Sequence, residues 1–199
     1  MKASIAHILF IPVWIGIGMV LPCSFTLSDF PAPPGSGVFR GDSGVLQFKS
    51  NAPLEVIEAK SSKLRGVIDV ATQAFAWSVD IISFEGFNSP LQREHFNENY
   101  LESTRYPKAS FAGKIIEKVD FEKDGTVSVR AKGKLLIHGV EQERIIKGKL
   151  EVKGRKLRIQ ASFTVPLTDH DITIPKIVHQ KIAEEIAVSV DAILVATEK

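Results

Sequence analysis

The sequence predicts an all-β domain, an extended antiparallel barrel of about eight strands with one long insert. Three observations predict it. From Val45 onward apolar and polar residues alternate with period two, segment after segment. That is the pattern of strands with one dry face and one wet face. Turn residues punctuate these segments at hairpin-like spacing, Asp124-Gly125 being the strongest such signal. One stretch alone, Phe84 to Gly113, breaks the alternation for long. Hairpin spacing and the absence of a cysteine–tryptophan core pattern favour a barrel over a sandwich.

The chain opens with Met1-Lys2 and a run from Ile5 to Leu21 that is apolar apart from His7. Residues 1–23 therefore read as a signal peptide or a lipoprotein leader, and an exported protein, periplasmic or secreted, is expected. Cys23 is the single cysteine, which excludes an intramolecular disulfide. Its place after the apolar run suits lipidation, whereas Pro22 before it suits that processing poorly. Cleavage near Ser24 or Ser28 is the second route. Retention as a membrane anchor is the third. Residues 24–44, rich in proline and glycine, read as a flexible connector, leaving 45–195 as the folded domain.

Within that domain Val45 to Ser50 opens the first strand, Pro53 punctuates it, and Val56 to Ser61 follows. Leu64, Gly66, Ile68 and Val70 then share a face, as do Phe75, Trp77, Val79 and Ile81. After the insert come Phe111, Gly113 and Ile115. Beyond Asp124-Gly125, Val127, Val129, Ala131, Gly133, Leu135 and Ile137 face one way, against Ser128, Arg130, Lys132 and Lys134. Ile146, Gly148, Leu150 and Val152 repeat the device, and so do Leu157, Ile159, Ala161, Phe163 and Val165. A short helix is expected over Lys176 to Glu185, started by Pro175. Ile186 to Ala196 closes the chain as the last strand.

The insert gathers Gln92, Arg93, His95, Asn97, Asn99, Tyr100 and Tyr106 between Pro90 and Pro107. It reads as a loop with a short helical turn, the place where a β-scaffold carries recognition or a lid. Four glycines, Gly66, Gly113, Gly133 and Gly148, fall at dry positions. Pointing inward they would leave the lumen open. Alternatively they relieve crowding where coiled strands bend.

Charge and motifs exclude several classes. The chain carries 25 lysines and arginines against 23 acidic residues, so no basic stripe marks a nucleic-acid binder. His95, His138, His170 and His179 show neither a short-spaced pair nor a cysteine partner for zinc. His170-Asp171 reads as a turn. No G-x-S-x-G pattern occurs, and the reading is of a protein that is not an enzyme and needs no cofactor.

Gln92-Arg93-Glu94-His95-Phe96, followed by Tyr106-Pro107 and Phe111, resembles the R-D-x-H-L and Y-P-x-x-x-F segments of the YceI-like family. Gly133 to Val140 is similar to its G-x-L-x-I-x-G-V hairpin, and Ile172-Thr173-Ile174-Pro175 to its C-terminal segment. The likeness runs from Val45 to Val195. Glu94 stands where the family has Asp, and Asn97-Glu98-Asn99-Tyr100-Leu101 replaces its S-x-D-F-F-D segment.

The resemblance implies a lipocalin-like barrel whose apolar pocket holds a long-chain lipid, typically a polyisoprenoid. Under that reading Phe75, Trp77, Val79, Phe111, Val129, Leu150, Ile159 and Phe163 line the wall, with Gly133 clearing space among them. Arg93, His95 and Asn97 stand at the mouth. The alternatives are that the wall residues pack a solid core and that Arg93 and His95 tie down the insert. A filled barrel would instead suit a non-catalytic periplasmic interaction or stress protein. Membrane association through the N-terminus and a homodimer are the remaining partners left open.

Overall fold

The computed structural model describes residues 37–197. Residues 1–23, expected to be a leader, and most of the expected connector lie outside them. Eight strands run in chain order: β1 (Val38–Asn51), β2 (Val56–Asp69), β3 (Ala74–Asp80), β4 (Lys108–Ile115), β5 (Gly125–Ile137), β6 (Val140–Lys153), β7 (Lys156–Pro166) and β8 (Glu185–Thr197). Each pairs antiparallel with its sequence neighbours, and β8 pairs with β1 to close the barrel. The alternation acts as expected. On β7, Leu157 and Val165 are buried and Ile159, Ala161 and Phe163 half-buried, while Lys156, Arg158, Gln160, Ser162 and Thr164 are exposed.

Three boundaries differ from the sequence reading. β1 starts at Val38 and takes Val38–Gly44 from the expected connector. The glycines there serve packing: a Cβ on Gly44 would come within 2.8 Å of the Ala192 Cβ on β8. Phe39 is buried beside Phe121, with ring centroids 5.9 Å apart. Small residues that resemble a tether are what lets a bulged strand lie against its neighbours.

Asp124-Gly125 is not a tight turn, because residues 116–124 form a longer connection that sends Val119 and Phe121 into the barrel's base. Two-residue hairpin loops occur instead at Gly154-Arg155, between β6 and β7, and at His138-Gly139, where φ of 50° and 76° matches the twist of the flanking strands. The helix expected over Lys176 to Glu185 shrinks to a 3-10 turn, Lys176–Val178. Its backbone groups are used elsewhere: the Gln180 carbonyl accepts from the Leu54 N–H at 2.9 Å, and the Ala183 N–H donates to Ser50 Oγ at 2.8 Å.

The two ends of the barrel differ. At the base Phe39, Ile68, Phe75, Ile115, Val119, Phe121, Leu150, Leu157 and Leu194 pack together, with Leu157 and Leu194 fully buried. At the other end two seams open. β2 pairs with β3 only over Arg65–Ile68, and β6 pairs with β7 only over Gly148–Lys153. In ring order those seams lie opposite one another, so the wall divides into half-sheets β7-β8-β1-β2 and β3-β4-β5-β6. The insert is tied across the first seam by the Lys60–Glu85 bridge. A 3-10 turn, Leu167–His170, packs against β6 and β7 at the second.

Candidate functional site

Between the packed base and the open end lies a cavity of about 590 Å³. That falls in the ordinary range of small-molecule sites, roughly 300–1,000 Å³. Its walls come from the inward faces that the alternation marks out. Phe75, Trp77 and Val79 on β3, Phe111 on β4, Val129 on β5, Leu150 on β6, and Ile159 and Phe163 on β7 all line it. Leu150 is at the floor, where it joins the base core. The lining is overwhelmingly hydrocarbon, and its polar side chains include Glu55, Gln92, His95, Tyr100 and Lys181 on the insert and rim loops.

Three residues expected at the site, Gly133, Arg93 and Asn97, are placed elsewhere. Gly133 does not line the cavity, and a Cβ there would sit 2.3 Å from the Ala112 carbonyl oxygen. It is paired with Gly113, so the absent side chains let β4 and β5 approach closely where they coil. Gly66 likewise makes room for the Trp77 ring, whose nearest carbon would be 2.1 Å from its Cβ. Crowding relief therefore accounts for these glycines, while Gly148 alone of the four borders the lumen.

Arg93 also lies off the cavity: its Nη2 donates to the Ile82 carbonyl at 3.1 Å, and its own carbonyl accepts from Asn97 Nδ2 at 2.8 Å. It ties the insert down, as one of the two sequence readings had it. His95 does border the cavity but is exposed, and no hydrogen bond of its ring occurs among the described residues. The reading of His95 as a hydrogen-bonded loop anchor is corrected accordingly.

The insert is built by local rules. Ser89 caps the helix α1 (Pro90–His95), its Oγ accepting from the Gln92 N–H at 3.2 Å, with Pro90 in the first turn. The Gln92 amide then donates to Glu55 Oε1 at 2.5 Å, and Asn88 Nδ2 to the Val56 carbonyl at 2.9 Å. These bonds fasten α1 to the β1–β2 turn. A π-helical turn, Phe96–Tyr100, follows, and Phe96 at its start lines the cavity.

The sequence reading missed what the insert brings to the mouth. Phe84, Phe87 and Phe96 meet Phe48 of β1 in one aromatic cluster, with centroid distances from 5.1 to 5.9 Å. The signal was present: phenylalanines in an otherwise polar excursion are costly to leave in water. Burial also pushes the Tyr100 hydroxyl pKa up, which keeps it a neutral donor beside the cavity.

His170 does close a turn, the 3-10 turn Leu167–His170, but it is also fully buried, which the sequence reading did not foresee. Its Nδ1 lies 3.1 Å from the Val140 carbonyl, and His138 Nδ1 lies 3.1 Å from the His170 carbonyl. A carbonyl only accepts, so both rings carry their proton on Nδ1. His170 Nε2 is buried without a hydrogen-bond partner, and His138 Nε2 is buried with Glu102 Oε1 3.4 Å away. Burial, and then the nearby Arg144, hold the His170 pKa down. This pair clamps the β5–β6 hairpin to the segment closing the second seam. Among the described residues no three histidine, cysteine or acidic side chains converge as a metal site.

A family model described as the YceI-like domain matches residues 31–194. A polyisoprenoid-binding domain from Saccharophagus degradans, implicated in plant cell wall breakdown, superposes with a TM-score of 0.69 at 13% identity, covering 81% of this chain and 99% of that one. Burkholderia cenocepacia BcnA superposes at 0.63 with 16% identity, covering 77% and 96%. The Campylobacter jejuni YceI protein that crystallizes with large solvent channels superposes at 0.52 with 13% identity, covering 95% and 100%. No curated protein matches. At these identities the structural likeness shows a shared barrel.

Proposed function

This chain belongs to the YceI-like family, and we propose that it is an exported, non-catalytic barrel that holds a long apolar chain, a polyisoprenoid or related lipid, in its lumen. The observation that carries the reading is the contrast along the barrel axis. An apolar cavity of about 590 Å³ is closed at the base by Leu150 and its neighbours, and polar groups gather at the mouth. A long hydrocarbon gains from such walls without needing a polar partner along its length, and each buried CH₂ contributes about 0.8 kcal/mol. The polyisoprenoid-binding domain that shares this fold supports the same class of ligand. The open lumen favours a carrier or sequestering role over an interaction protein with a filled barrel.

The test is chemical. Protein purified from its native host is extracted with organic solvent, and the extract is analysed by mass spectrometry. A stoichiometric long-chain lipid is expected. An extract without lipid, from a protein that also fails to take up a fluorescent isoprenoid, would remove the proposal. Export rests on residues 1–23 and has its own test: charged residues in place of Ile15 and Met19 should leave the protein in the cytoplasm.

A further inference from the structure

A long apolar chain has no useful pool in water, so a barrel that holds one must meet the bilayer in which it dissolves. That step rests on the lumen reading above. The structure shows where the meeting would take place. Three chain segments surround the mouth and are bonded to one another. The β1–β2 turn is joined to α1 through Glu55 and Gln92, and to the 3-10 turn region through the Leu54 N–H and the Gln180 carbonyl. All three contribute to the cavity wall, through Glu55, through Gln92 and His95, and through Val178, Lys181 and Ile182.

Each of these segments also points one large apolar side chain out into solvent. Leu54 is 67% exposed, Leu91 57% and Ile177 91%. Val56 and Ile82, beside them in the chain and in the Asn88 and Arg93 hydrogen bonds, are exposed as well. Such a group of side chains, on linked loops around an apolar opening, is unlike the scattered exposed residues of an ordinary surface. Arg93, Lys176 and Lys181 lie among them, with stems long enough to lie along hydrocarbon while the charge reaches phosphate. Glu55, Glu94 and Glu184 on the same segments balance that charge, so apolar insertion rather than anionic lipid dominates the contact. The described chain begins at the other end of the barrel, where the Gly37 carbonyl accepts from the Val70 N–H.

We propose that the rim formed by Leu54, Leu91 and Ile177 docks on a phospholipid bilayer, inserting these side chains so that the ligand passes between membrane and lumen without crossing water. Insertion would sit at the level of the headgroup and acyl boundary, as for other interfacial apolar surfaces.

Two measurements on the full chain test this. The first places an indole at the rim by Ile177→Trp and adds phosphatidylcholine vesicles with brominated acyl chains. Quenching beyond that of the parent chain, which carries Trp14 and Trp77, is expected, with a blue-shifted emission. A chain that sediments with vesicles yet shows no added quenching would overturn the proposal. So would a blue shift that depends on protein concentration without vesicles, which would assign the rim to a second copy.

The second measurement follows uptake of a pyrene-labelled isoprenoid alcohol delivered either from vesicles or from cyclodextrin. In the combined variant Leu54→Asp, Leu91→Asp, Ile177→Asp, uptake from vesicles should slow by at least about tenfold. Uptake from cyclodextrin should be unchanged, because the altered positions are outside the lumen. Equal vesicle rates for parent and variant would overturn the docking. Failure of the parent to take up the probe from cyclodextrin would overturn the lumen reading instead, and the indole measurement would still decide the rim.

Discussion

The rings of Phe48 and Phe96 stack at a centroid distance of 5.3 Å and an angle of 15°. One belongs to β1 and the other to the π-helical turn of the insert, so this contact joins the insert to the half-sheet that contains β1. Phe84 and Phe87 pack against the same two rings. Phe96→Ala should therefore loosen the insert as a unit. The expected cost is on the order of 2 kcal/mol in urea unfolding, less than for a fully buried phenylalanine because Phe96 is only half-buried. Limited proteolysis should cut first between Gly86 and Lys108. A variant with unchanged unfolding and no new cleavage would show that the cluster does not hold the insert.

Gly133 and Ala161 separate strand packing from lumen filling. Gly133→Leu drives a side chain into the Ala112 carbonyl, which is backbone and cannot rotate aside. A loss on the order of 3 kcal/mol is expected, with lipid affinity falling only as the folded fraction falls. Ala161 lines the cavity, so Ala161→Phe puts its ring into space open to the ligand. Displacing three or four methylenes weakens lipid binding by about 2–3 kcal/mol, or roughly 30- to 150-fold, with little change in thermal unfolding. Equal effects of the two substitutions on binding and on unfolding would contradict this division.

His170 predicts how stability depends on pH. Its folded pKa lies below the ordinary value of 6.5, because burial penalises the imidazolium and Arg144 repels it. Below about pH 6.5 the unfolded chain therefore binds a proton that the folded chain resists. Stability from this group is fully present above that pH and is lost as pH falls, with a limiting slope of about 1.4 kcal/mol per pH unit. His138, Glu102, Arg144 and Asp169 are the charged or titratable groups around it. Unfolding curves between pH 7.5 and 5 should show the slope in the parent and a shallower one in His170→Gln. Parallel slopes would place the pH dependence elsewhere.

Arg93 and His95 adjoin in sequence but should not behave alike. Arg93→Ala removes the bond to the Ile82 carbonyl, an exposed interaction worth about 0.5–1.5 kcal/mol. His95→Ala removes a solvent-exposed ring with no such bond, and stability should stay within about 0.5 kcal/mol. If His95 instead touches the ligand's polar end, His95→Ala weakens lipid binding while unfolding is unchanged. Isothermal unfolding beside a binding titration separates the two effects.

By itself the sequence determined the strands and their faces. Phe75, Trp77, Val79, Phe111, Val129, Leu150, Ile159 and Phe163 all border the cavity because side-chain direction in a strand repeats every two residues, a local property. The insert's position was legible for the same reason, as the place where that period stops. What only the tertiary structure decided depends on which strand lies beside which, and in what register. Gly133 has the period of a lumen residue, yet coiling turns its Cβ direction into the backbone of β4. Val38–Gly44 has the composition of a tether, yet bulges fit it against β2 and β8. His170 follows no pattern at all, being buried by a hairpin from earlier in the chain. Likewise the meeting of Phe48 with Phe96, and of Leu54, Leu91 and Ile177 on one rim, needed the barrel to close first. A contact between distant segments belongs to two positions at once, whereas a period can be read from one.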